Sequence, residues 1–215
     1  MSSAARLLAP ALLALAASAV SSHAYACFNV TRADLDARVK KLKLAHTALE
    51  AGDNAKARKV AGEVATFLDN VEHNTHREAD GKLLDPTTKK LIDPPDPSLL
   101  RRAVRIEALA TTRLASTSDA DKKASLERFE KVSLDKSGEP TLMADYAEVL
   151  SHFEARHGAA LMILRSLRDK DLIGSAEAYA ALARLEAKGG AKDASDAALA
   201  RCRNMTKRAQ AVCKV

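Results

Sequence analysis

Two histidines, His73 and His76, stand in a stretch that also holds Glu72, Glu78 and Asp80. Imidazoles beside carboxylates are the ligand types that hold zinc. His-x-x-His alone specifies little, and no Glu stands between the two as the zinc-protease pattern requires. Exposed loop histidines are therefore the plainer expectation. His46, His152 and His157 fall on or beside helical segments, and His46 lies in an apolar stripe where a hydrogen-bonded core histidine is expected. The chain has no Gly-rich phosphate loop, no Gly-x-Ser-x-Gly elbow and no Cys-x-x-Cys-His haem attachment. Its cysteines lack the His/Asn setting of a thiol protease. The residues thus predict a non-enzymatic protein without catalytic, cofactor-binding or metal-binding residues. The His73/His76 loop is where an alternative enzyme or metal-binding function would reside.

The three cysteines are Cys27, Cys202 and Cys213. Their setting depends on the N-terminus, where residues 1–26 have the parts of a cleavable signal peptide. Arg6 is the one charge of the n-region, and Leu7 to Val20 is apolar. Ser21, Ser22 and His23 are polar, and Ala24-Tyr25-Ala26 is a small-x-small cleavage site. The apolar run, about 14 residues, is short of the roughly 20 that span a bilayer. The expectation is an exported chain, periplasmic or secreted, with residues 27–215 as one helical domain and no transmembrane segment after cleavage.

Cleavage would leave Cys27 first. This opens an alternative, a lipoprotein anchored in a bacterial envelope through Cys27, although Ala24 and Tyr25 fit that signal poorly. In an oxidising compartment one disulfide and one leftover thiol is the default. Cys202 and Cys213 are the natural pair; three free thiols, or a bond that uses Cys27, are the alternatives. On one continuous helix the pair would lie about 16 Å apart, too far for a bridge that needs Cα atoms within about 7 Å. A bond requires a turn, expected at Arg203-Asn204-Met205-Thr206.

The formal charge is +6, and cleavage would remove Arg6 and no acid. Arg101, Arg102 and Arg105 cluster, as do Arg201, Arg203, Lys207, Arg208 and Lys214. Such patches attract anionic polymers or acidic partners, but interspersed acids favour solvated helix faces. Aromatic residues make up 3% of the chain, few for stacking on bases, which argues against nucleic acid.

The elements that position these residues read as all-α. Apolar residues recur at helical spacing in Leu35, Val39, Leu42, His46 and Leu49, and again in Val60, Val64, Phe67 and Val71. Ala103, Ile106, Ala110 and Leu114 form a third stripe, and Leu142, Tyr146, Val149 and Phe153 a fourth. Thr31 with Asp34, and Ser118 with Asp121, resemble capping boxes; Ser98 and Ser175 suit N-caps, and Pro140 suits a first helical position. Gly52, Gly138, Gly158, Gly174 and Gly189-Gly190 mark breaks. Residues 72–98 lack the period and hold four of the six prolines. There Leu83-Leu84 and Leu91-Ile92 flank Asp85-Pro86-Thr87-Thr88 as a small hairpin would.

The helical segments also repeat. Tyr146-Ala147 recurs as Tyr179-Ala180, and the turn Ala51-Gly52-Asp53-Asn54 resembles Gly189-Gly190-Ala191-Lys192. Ala45, Gly52-Asp53 and Ala57 follow a pattern of a small residue, a turn, then alanine early in a second helix. Ala147, Gly158 and Ala159 follow it less closely, as do Ala180, Gly190 and Ala194; Ala108 and Ala124 are candidates in a further unit. This layout resembles the tetratricopeptide repeat family, whose helix pairs recur every 34 residues or so. The usual tryptophan is missing, and most units lack the closing proline. The resemblance implies antiparallel helix-hairpin repeats stacked as an α-solenoid, with the 72–98 segment as an irregular insertion. It implies a protein or peptide partner, of unknown identity, held on a concave face.

Overall fold

The computed structural model describes residues 30–74, 78–133 and 138–214. Residues 1–26, expected above to be a signal peptide, Cys27 and His76 lie outside them. The described residues are mostly helical: α1 (Arg32–Ala51), α2 (Asn54–Asn74), α3 (Pro97–Arg113), α4 (Asp119–Ser133), α5 (Pro140–Leu150), α6 (His157–Asp169), α7 (Ala176–Lys188), α8 (Lys192–Met205) and α9 (Ala209–Val212). Strands β1 (Leu83–Leu84) and β2 (Leu91–Ile92) form one antiparallel pair, Leu83 opposite Ile92. No helix among the described residues is long and apolar enough to cross a membrane.

The ends of these helices follow local chemistry. Thr31 caps α1 through a reciprocal pair with Asp34: its hydroxyl accepts from Asp34 N–H at 3.1 Å, and Asp34 accepts from Thr31 N–H at 3.1 Å. Gly52 ends α1 in the left-handed region, φ +80°, which costs glycine nothing. Ser175 caps α7 and Pro140 opens α5, as the sequence predicts. Elsewhere the boundaries shift. Asp96, not Ser98, caps α3, because Pro97 takes the first helical position and Ser98 N–H donates to Asp96. Gly158 lies inside α6 and breaks nothing.

Helices adjacent in the chain pack together, α1 with α2, α2 with α3, α3 with α4, α5 with α6, α6 with α7 and α7 with α8. Each odd-numbered helix also meets the next one: α1 touches α3, α3 touches α5, and α5 touches α7. Alanine makes the close approaches. Ala45, Ala48, Ala57 and Ala61 are buried between α1 and α2, and Ala178, Ala180, Ala181 and Ala183 are buried along α7. Leu42, Phe129, Leu150, Leu164 and Tyr179 fill the spaces between. Ala124, a candidate small contact residue, is exposed, and Leu126 and Phe129 face inward instead.

The insertion is shorter than expected, because α2 runs on to Asn74 and α3 begins at Pro97. Its hairpin is pinned to the start of α1. Leu83 is fully buried, and the buried Asp85 carboxylate accepts from Arg32 N–H at 3.2 Å and from Thr87 N–H at 2.8 Å. One acid thus closes the hairpin loop and satisfies an otherwise unpaired donor of the first turn of α1.

Candidate functional site

The residues with most chemistry lie where the odd-numbered helices meet. Arg105 and Arg113 are about two turns apart on α3, so they share a face. Asp145 and Glu148 are one turn apart on α5 and share the opposing face. Arg113 lays its guanidinium on Glu148 in parallel, Nε to Oε1 at 2.7 Å and Nη2 to Oε2 at 2.9 Å. Its Nη1 stands 3.7 Å from Glu177 at the start of α7, and Glu177 also accepts from Arg208 Nη2 at 2.9 Å. Arg105 pairs with Asp145. A chain of ion pairs therefore laces α3, α5, α7 and the C-terminal segment together.

These charges sit out of water. The Glu148 side chain is 2% exposed and that of Arg113 15%. Burial works against the Arg113 charge, but Glu148 and Glu177 outweigh it and hold its pKa above the ordinary value. Asp145 goes the other way. Burial raises its pKa to about 6, more than Arg105 lowers it, with Glu148 adding repulsion.

The C-terminal segment reaches this cluster through a disulfide. Cys202 and Cys213 are joined, with Cα atoms 5.9 Å apart. Helix α8 continues through Asn204 to Met205, so the turn begins later than expected, where Thr206 Oγ1 accepts from Arg208 N–H at 3.0 Å. The bond holds α9 against α7 and α8 and aims Arg208 at Gly52. A Cβ at Gly52 would collide with the Arg208 guanidinium. The first hairpin turn and the C-terminal segment therefore meet.

Beneath that contact is a hollow of about 280 Å³, lined among others by Asn54, Arg113, Glu148, His152, Glu177 and Arg184. A second, of about 220 Å³, lies on the other side of Arg113 and Glu177, with His46, Arg105 and Asp145 in its wall. His152 stands in the wall of the first hollow, where desolvation, reinforced by Arg184, Lys122 and Arg113, lowers its pKa to about 4.

The sequence candidates are dispersed. His46 is exposed on α1 beside Glu50 rather than in the core, the stripe being completed by Ala45 and Ala48. His73 hydrogen-bonds Asp69 O at 2.9 Å through Nδ1, near the end of α2. Among the described residues no group of three or more His, Cys, Asp or Glu side chains is arranged to hold a metal. The clustered arginines split up: Arg105 pairs with Asp145, Arg201 with Asp171 and Arg208 with Glu177. The buried acids were missed. Their signal is in α5, where Asp145 and Glu148 interrupt a helix that is otherwise apolar on most sides. No family model, curated protein or solved structure matches the chain.

Proposed function

We propose that this is an exported, non-enzymatic helical-hairpin protein of tetratricopeptide-like build, which binds a peptide segment of a protein partner along its odd-numbered helices. One observation carries the reading. Helices α1, α3, α5 and α7 touch in series; one charged hollow opens among all four, and the other lies between α3, α5, α7, the Gly52–Asn54 turn and the C-terminal segment. An array whose odd helices converge curves toward them, and such arrays use the concave side for extended ligands. Alanine at the hairpin contacts supports the same build. Export is supported by the signal-like residues 1–26 and by the Cys202–Cys213 bond, since disulfides persist in oxidising compartments. The destination proposed is the periplasm or the medium.

Panning a random peptide library on disulfide-bonded protein, residues 27–215, tests this. An enriched peptide should slow amide exchange in α1, α3, α5 and α7 and leave α2, α4 and α8 unchanged. Protection confined to the even-numbered helices, or no enrichment, contradicts the reading.

A further inference from the structure

We propose that the hollow under the Gly52–Arg208 contact binds a small organic monocarboxylate that carries a hydroxyl or N–H beside its carboxylate.

Charge accounting comes first. Three guanidinium groups line the hollow: Arg113, Arg184 and Arg208. Arg113 and Arg208 are matched by Glu148 and Glu177. Arg184 has no hydrogen bond or ion pair among the described residues. Desolvation lowers its pKa and Arg113 adds repulsion, against a partial attraction from Glu148. The depressed pKa of His152 keeps it neutral at pH 7. The lining thus carries one uncompensated positive charge. A half-buried guanidinium without a partner is costly, and an anion that accepts two of its N–H groups relieves the cost.

The second observation is a missing donor. Asn54 lines the same hollow, and its buried Oδ1 has no hydrogen-bond partner. A buried acceptor left unpaired calls for an N–H or O–H. A ligand that satisfies both groups has a carboxylate for Arg184 and a donor for Asn54. A single negative charge fits better than two, because Glu148 and Glu177 repel any excess. The volume, about 280 Å³, accommodates a ligand of metabolite size.

Titration calorimetry on the disulfide-bonded protein, residues 27–215, tests this with lactate and N-acetylglycine as probes and with acetate, lactamide and inorganic phosphate as comparisons. Lactate or N-acetylglycine should bind at least about tenfold more tightly than lactamide or phosphate, and several-fold more tightly than acetate. Arg184→Gln should weaken that binding about tenfold or more, the loss of one charge-assisted pair. Asn54→Leu should reduce the better probe to the level of acetate. Should Arg184→Gln not fold, Arg184→Lys keeps the charge without the fork and should weaken binding several-fold. No binding of either probe at about 10 mM, equal binding of lactamide, or undiminished binding by the Arg184 variant that folds would overturn the proposal.

Discussion

Asp145 and His152 show how one cluster sets opposite pH responses. Folding raises the Asp145 pKa from the ordinary carboxylate value to about 6, chiefly through burial. Between those values the folded chain keeps a proton that the unfolded chain has released, so this group makes stability fall as pH rises. His152 is shifted down to about 4 by desolvation and neighbouring cations. In the same window the unfolded chain takes up a proton that folded His152 refuses, so that group makes stability rise with pH. The two slopes oppose each other, and wild-type stability is expected to be flatter than either alone. Asp145→Asn isolates one of them. From pH 4 to pH 7 the unfolding free energy of the variant minus that of wild type should increase by about 2 kcal/mol. Urea unfolding at several pH values measures it, and a difference that does not change with pH contradicts the assignment.

At the scale of elements, the disulfide is what makes α9 part of the site. Four residues cannot hold a helix alone, and α9 packs on α7 and α8. Cys202→Ser should lower stability by about 3 kcal/mol, the chain-entropy value for so short a loop. Amide exchange should rise over residues 207–213 while α1 to α4 keep their protection. Unchanged exchange there would show that α9 docks without the bond.

Elements were also the most legible part of the sequence. Thr31, Ser175 and Pro140 act within a few residues of themselves, so their types sufficed to place three helix starts. The Cys202–Cys213 pair and the Leu83–Ile92 hairpin were readable for the same local reason. The ion-pair chain was not, because Arg105 finds Asp145 across 40 residues and Arg113 finds Glu148 across 35. Helical period places a residue on a face but does not say which helix covers that face. His46 illustrates this: its spacing fits the α1 stripe, yet Ala45 and Ala48 take the contact and leave it outside.

At the scale of the whole molecule, the side formed by α1, α3, α5 and α7 is the proposed working surface. The ion pairs stiffen that side. A buried pair adds little net stability but is costly to separate, so the spacing of α3, α5 and α7 is held while the hollows stay open. The even-numbered helices present solvated charge, such as Lys123 beside Glu127 on α4 and Lys192 beside Asp196 on α8. Photo-crosslinking in living cells tests the claim most directly. A crosslinkable residue is placed at His46 or Thr141, which line the second hollow, and in parallel at Lys123 or Lys192. One discrete adduct is expected from His46 and Thr141, and none from Lys123 or Lys192. The same adduct from the even-numbered helices, with none from His46 or Thr141, would contradict it.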